Sequence, residues 1–160
     1  MVQATDEDLY GTTYGGGTIA DGTIFKVTLR GKLTTLFSFD STNGCCLSAG
    51  LTQSTNGTFY STTGAGGAAN DGTVFGFAVG LRPFVEIEPA SGNVGAAVVI
   101  LGNDLARARS VSFDGTAAEF TVVSSTELKT TVPNGATTGF VTVTTPRKTL
   151  KSNVVFRVTK

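Results

Sequence analysis

The sequence has no histidine and no tryptophan, and only two cysteines and four prolines. Without histidine the commonest general base and metal ligand is missing, so no Ser/His/Asp or Cys/His catalytic set can form. The two cysteines, Cys45 and Cys46, are adjacent. Such a pair can close a strained vicinal disulfide, pair with other chains or stay free. Zinc would need more soft ligands. We expect a loop pair that is dispensable for folding. Charged residues make up 15 % of the chain, low against the usual ~25 %. Twelve basic residues balance twelve acidic ones, which gives no reason to expect nucleic acid or an acidic membrane as partner. No apolar run reaches the ~18 residues of a spanning helix. No basic segment followed by an apolar run marks a leader. Met1 falls inside a repeat, so the chain reads as cut from something longer.

Glycine, threonine, valine and phenylalanine dominate, a mixture that favours short strands and tight turns. Residues 1–28 and 51–78 align without a gap at an offset of 50. Gln3/Gln53, Thr5/Thr55, Tyr10/Tyr60, Thr12/Thr62, Thr13/Thr63, Gly16/Gly66, Gly17/Gly67, Asp21/Asp71, Gly22/Gly72, Thr23/Thr73 and Phe25/Phe75 are identical. A fixed period of this size marks a repeat architecture. Strands are expected at residues 9–14, 23–29 and 33–39, then again at 58–63 and 73–79. Asp21-Gly22, Asn56-Gly57 and Asp71-Gly72 are turn signals. Leu33, Leu36 and Phe37 or Phe39 are available for burial. Three or four short strands per repeat suggest propeller-like sheets, each needing a neighbour on either face. The chain holds about one and a half units. Tyr10, Phe25, Tyr60 and Phe75 are therefore expected as equivalent core residues of two stacked sheets. An apolar outer face should be left uncovered, to take the next repeat in a longer chain or to drive self-association unless the sandwich covers it.

The composition changes near residue 82, after which all four prolines fall. We place a boundary between residues 1–82 and 83–160. The second part alternates apolar and polar residues at 85–88, 96–101, 110–113, 117–123, 128–132, 140–144 and 154–158. Residues 89–95 read as a turn. Seven short strands with closely spaced turns predict a β-sandwich.

The first part resembles a known repeat. Leu51-x-Gln53-x-Thr55-x-Gly57-x-Phe59-Tyr60-x-Thr62-Thr63, a glycine-rich link and Asp71-Gly72-Thr73-Val74-Phe75 are similar to the GloVer-type tandem β-repeat of bacterial surface and secreted proteins. The second copy has Gly76-Phe77 where the first has Lys26-Val27, and no strand follows it like that at 33–39. The second part resembles the IPT/TIG family of immunoglobulin-like domains. Ile87-Glu88-Pro89-x-Ser91-Gly92-x-x-Gly95, Val98-Val99-Ile100-x-Gly102 and Val111-x-Phe113-Asp114-Gly115 carry that likeness. So do Val132-Pro133-x-Gly135-Ala136 and Ser152-Asn153-x-x-Phe156-x-Val158. The resemblance implies a spacer or interaction module of bacterial surface proteins, receptors or polysaccharide-acting enzymes. No antibody-type Cys–Trp–Cys core is present in this half.

Each chemistry-bearing group also has a plainer reading. Asp21 and Asp71 beside glycine-rich loops could bind calcium, but an Asp-Gly turn explains them more simply. Asp6-Glu7-Asp8 is replaced by Asn56-Gly57-Thr58 in the second copy, which favours a solvated turn. Asn56-Gly57-Thr58 also fits a glycosylation sequon, though we read it as a hairpin turn. Gly15-Gly16-Gly17 lacks the Lys-Ser/Thr and helix of a phosphate loop. Tyr10, Tyr14 and Tyr60 could stack on sugars, with packing between repeats the preferred role. Arg147, Lys148 and Lys151 could meet an anionic polymer or form a solvated turn. A carboxylate pair for glycoside hydrolysis could draw only on Asp6, Asp8, Asp21, Asp71, Glu86 and Glu88. The expectation is an all-β chain, a propeller-like repeat fragment followed by an immunoglobulin-like sandwich. It is expected to act as a non-enzymatic structural or adhesion module, extracellular or at the cell surface, with no cofactor, metal or catalytic residue. Its partners would be protein domains or surface polymers. The alternative is a glycan-binding accessory module of a polysaccharide-degrading enzyme.

Overall fold

A computed structural model describes residues 1–160. It divides into two compact units, Met1–Leu81 and Arg82–Lys160, each with its own apolar core. The structure is all-β, with one 3-10 turn and no α-helix.

The first unit contains two antiparallel meanders. β1 (Val2–Gln3), β2 (Leu9–Thr13), β3 (Thr23–Val27) and β4 (Leu33–Ser38) form one sheet in sequence order. β5 (Thr52–Gln53), β6 (Phe59–Thr62) and β7 (Val74–Phe77) form the other. The repeat extends to the backbone. Gly16, Gly17 and Gly22 take positive φ, as do Gly66, Gly67 and Gly72, and so do the pairs Glu7/Gly57 and Ala20/Asn70. The Gly22 amide donates to Gly16 O over 3.0 Å, and the Gly72 amide to Gly66 O over 3.0 Å. In each copy two threonine hydroxyls lock β-strand pairs together, Thr13 with Thr23 at 2.9 Å and Thr63 with Thr73 at 3.0 Å. Glycine is required at the Asp-Gly turn. A Cβ on Gly72 would sit 2.4 Å from Thr63 O, and its φ of +88° disfavours any side chain.

The two sheets stack. Side chains alternate across a strand, so each sheet has two faces. The first sheet turns Val2, Tyr10, Thr12, Ile24, Lys26 and Phe37 towards the second. The second answers with Gln53, Phe59, Ser61, Phe75 and Phe77. Tyr10 and Phe59 rings lie 4.6 Å apart, Phe39 and Phe75 5.1 Å, and Phe37 and Phe77 6.1 Å. Tyr10, Ile24, Phe39, Leu47, Leu51 and Phe59 are buried between them. Polar groups fix the register. The Gln53 amide accepts from the Thr5 backbone N–H at 3.2 Å and donates to the Thr5 hydroxyl at 3.1 Å.

Four expectations for this unit need correction. The sheets are antiparallel meanders, and nothing in their strand order makes a propeller of them. Tyr60 is not a core residue but 43 % exposed. It lies on the face of its sheet turned away from the first, and the neighbouring Phe59 occupies the core instead. Phe25 and Phe75 are only half-buried. Leu33 is exposed, because it shares the outer face with Leu9 and Val27.

The second unit is a sandwich. β8 (Glu86–Glu88), β9 (Ser91–Gly92), β10 (Ala97–Leu101), β11 (Ser110–Phe113), β12 (Thr116–Ala118), β13 (Phe120–Val122), β14 (Glu127–Thr131), β15 (Gly139–Thr144) and β16 (Thr149–Val158) make two sheets. Their orders are β13-β14-β10-β8 and β12-β11-β15-β16-β9. Alternate residues Ile87, Val98, Ile100 and Leu128 from the first sheet meet Val111, Phe113, Val141, Val143 and Phe156 from the second. Phe113 and Phe156 pack edge to face at 5.0 Å. The single strand expected at 117–123 is two strands in different sheets. The chain crosses at Glu119, whose carbonyl accepts from the Thr130 hydroxyl at 2.6 Å. The expected turn at 89–95 contains β9, which pairs in parallel with β16. The register slips between Phe140 and Thr142. There the buried Ser152 hydroxyl accepts from the Val141 amide (3.1 Å) and donates to Val154 O (2.6 Å). Val154 is exposed and Phe156 fully buried.

Candidate functional site

A cleft of about 270 Å³ opens on the sandwich, lined by Asp104, Arg107, Ser125, Thr145, Arg147 and Lys148 among others. Two short segments build it. The 3-10 turn Leu105–Arg107 is anchored by the buried Leu105 side chain and by the Leu105 amide on Ser125 O at 2.8 Å. Asp104 precedes it in the left-handed conformation, φ 62°. On the other side, the β15–β16 connection is closed by Thr145. Its amide and hydroxyl both donate to Lys148 O, at 2.9 and 3.0 Å. Lys148 Nζ stands 3.6 Å from Asp104 Oδ2. Asp104 is 72 % exposed there, so the pair contributes little. Two arginines, one lysine and one aspartate line the cleft, a basic excess that suits carboxylate or sulfate oxygens. Arg107 was missed in the sequence because it lies forty residues from Arg147. Lys151, grouped with Arg147 and Lys148 in the sequence, sits instead over the Phe140 ring, 3.4 Å from its centre.

The acidic run of the first repeat is tied into its own sheet. Lys26 Nζ bonds Asp6 Oδ2 at 3.0 Å and Asp8 Oδ2 at 2.5 Å. The Tyr10 hydroxyl donates to Asp6 Oδ2 at 2.9 Å. Burial works to raise the Asp6 carboxyl, but the Lys26 and Tyr10 hydrogen bonds outweigh it and hold it below the usual carboxylate range. The same contacts, Asp8 foremost, raise the Lys26 ammonium. Burial raises the Tyr10 phenol. In the second copy Asn56 takes the place of Asp6. Its Oδ1 accepts from the Thr58 amide at 2.8 Å and its Nδ2 donates to the Tyr60 hydroxyl at 3.1 Å. That is a turn built by a side chain, as the dipeptide predicts.

The remaining sequence candidates lie apart. Asp21 accepts from the Ser41 hydroxyl at 2.8 Å in the first copy's turn. Asp71 is exposed in the second copy's turn. No three His, Cys, Asp or Glu side chains converge. Glu86 and Glu88 flank Ile87 on β8 of the second unit. The Gly15-Gly16-Gly17 loop closes on itself through the Gly22 amide. Tyr14, in the bend just past β2, and Tyr60, on β6, are both exposed and belong to different copies of the repeat.

Cys45 and Cys46 are free thiols, half-buried, with sulfurs 2.6 Å apart. The hydrogen bond with Cys46, reinforced by burial, pushes the Cys45 thiol up to about 11. Their backbone is a clasp between the sheets. The Cys45 amide donates to Ala65 O at 2.8 Å and the Cys46 amide to Asp21 O at 3.2 Å.

Two family models match the chain, overlapping over residues 84–99. Residues 1–99 match the Gloeobacter/Verrucomicrobia repeat model and residues 84–158 match the IPT/TIG domain model. Neither is a catalytic domain. No curated protein matches. Among solved structures, an auxiliary nutrient binding protein from Bacteroides ovatus is similar at 24% identity and a TM-score of 0.41. That match covers 48% of this chain and 20% of the Bacteroides chain. On the extent of the first match, the chain belongs to the Gloeobacter/Verrucomicrobia repeat family, with an IPT/TIG domain following its repeats.

Proposed function

We propose that the chain is a non-enzymatic structural and adhesion module of a bacterial extracellular or cell-surface protein. The observation that carries this reading is how the chemistry-bearing groups are used. Asp6 and Asp8 hold Lys26, Asp21 holds Ser41, Gln53 holds Thr5, and the cysteine backbone joins one repeat to the next. Groups that could act on a ligand are spent on fixing turns and stacking sheets. The test is incubation of the purified chain with a panel of polysaccharides, read by release of new reducing ends. No release above a buffer control is expected. Release that tracks the protein through purification would overturn the reading.

A second reading, an accessory module that binds glycan, is favoured by the cleft. Arg107, Arg147 and Lys148 would take acidic sugars, held by carboxylate or sulfate groups. Titration with a uronate polymer, against the neutral polymer of the same backbone, decides it. Arg107→Ala and Arg147→Ala should each weaken binding, and added salt should weaken it further. Equal binding of the neutral polymer would rule this reading out.

A further inference from the structure

The repeat offset reveals what the two outer faces of the first unit are. At the junction inside the chain, Phe59, Phe75 and Phe77 of the second sheet lie towards Tyr10, Thr12, Ile24 and Phe37 of the first. Fifty residues earlier, the counterparts of Phe59, Phe75 and Phe77 are Leu9, Phe25 and Val27. These three lie on the outer face of the first sheet, in cross-strand rows Leu9–Val27–Leu33 and Gly11–Phe25–Thr35. Leu33 is 64% exposed. Fifty residues later, the counterparts of Tyr10, Thr12 and Ile24 are Tyr60, Thr62 and Val74. These lie on the outer face of the second sheet. Ile24 is fully buried, whereas Val74 is 81% exposed. The two outer faces are therefore the two halves of a junction that the chain has already made once.

We propose that a second copy of this chain docks head to tail. The outer face of its first repeat (Leu9, Phe25, Val27, Leu33) seats on the outer face of its neighbour's second repeat (Tyr60, Thr62, Val74). The receiving face is freed of charge for this. Lys26, which carries the Asp6/Asp8 network on the buried junction, is replaced by Gly76, over which the Tyr60 ring lies. The contact is heterologous, with unlike surfaces meeting, so it can propagate from copy to copy. It is also small. Three strands of about five residues cover roughly 250 Å² in plan, well short of the ~800 Å² per partner of a standard interface. Association is therefore weak and needs high concentration. The inference goes beyond the module reading, since a module can work as a monomer.

Sedimentation velocity of the full chain tests it, between about 10 μM and about 1 mM, the range where so small a contact would act. The sedimentation coefficient of the native chain should rise with concentration. Leu33→Asp removes one face and Val74→Asp the other, and each variant alone should lose the rise. An equimolar mixture of the two keeps one intact face on each partner and should form a 1:1 dimer that goes no further. Both positions are exposed, so the fold should survive, checked by far-ultraviolet circular dichroism. Leu33→Lys and Val74→Lys repeat the test with the opposite charge. A native chain that stays monomeric across the range, variants that still associate, or a mixture that fails to pair would each overturn the proposal. None of these results bears on polysaccharide turnover, so the module reading stands or falls separately.

Discussion

Replacing Tyr10 by alanine should destabilise the repeat unit far more than replacing Tyr60, although the two occupy identical places in the sequence repeat. Tyr10 is 2% exposed and Tyr60 43% exposed. A tyrosine offers about 200 Å² for burial. At ~25 cal/mol/Å² that is ~5 kcal/mol, or ~3–4 once the compactness of the unfolded chain is allowed for. Tyr10→Ala also removes the hydroxyl from Asp6, worth about 1 kcal/mol. The total is ~4–5 kcal/mol. Tyr60 buries little more than half its surface, and water refills its place, so Tyr60→Ala should cost ~1–2 kcal/mol. The chain has no tryptophan, and its three tyrosines all lie in the first unit. Tyrosine fluorescence therefore follows that unit alone. In urea, with a slope near ~1.5 kcal/mol/M, the midpoint should fall by ~3 M for Tyr10→Ala and by ~1 M for Tyr60→Ala. Shifts equal within ~0.5 kcal/mol, the usual additivity error, would refute the assignment of inner and outer faces.

Glu7 stands at φ 70° where its counterpart is Gly57. Glu7→Gly relieves ~1–2 kcal/mol of left-handed strain, less the entropy glycine adds to the unfolded chain. A net gain of ~0.5–1 kcal/mol in urea unfolding is expected, and a loss would contradict the conformation. The Asp6 carboxyl is held low in the folded state and returns to about 3.9 on unfolding. Its contribution is full above about pH 4 and disappears as pH falls through the lowered folded value. Asp6→Asn should flatten that acid limb, and an unchanged limb would contradict the network. Ser152→Ala leaves the buried Val141 amide without its acceptor, a cost of ~1–3 kcal/mol. Val141 amide exchange should accelerate, and an unchanged rate would mean the bulge is held otherwise. Cys45 should alkylate slowly at pH 8, since its thiol is pushed up to about 11. Replacing both cysteines by serine should change stability by less than ~2 kcal/mol; a larger loss would show a structural pair.

Much of the fold is legible in the sequence because the repeat is written in residues with narrow conformational meaning. Gly16, Gly17 and Gly22 take positive φ, as do their counterparts, and the threonine pairs follow with the same bonds. Which face of each sheet is covered is not legible. Alternation separates Phe59 from Tyr60, but only the neighbouring sheet determines which one it buries. The sheet change at Glu119 leaves no mark either, since residues on both sides of it keep their apolar content. The cleft escapes for a related reason: Arg107 meets Arg147 and Lys148 only through the fold. Likewise, the Asp6–Lys26–Tyr10 contacts join residues up to twenty positions apart.

The stacking of unlike faces is tested most directly by a two-dimensional nuclear Overhauser spectrum of the full chain with assigned aromatic rings. Cross-peaks are predicted between the Tyr10 and Phe59 rings and between those of Phe39 and Phe75, whose centres lie 4.6 and 5.1 Å apart. None should join Tyr60 to the inner rings Tyr10, Phe37 or Phe39. A Tyr60 cross-peak to Ile24 or Phe39, with none from Phe59 to Tyr10, would mean that the second sheet meets the first with its other face.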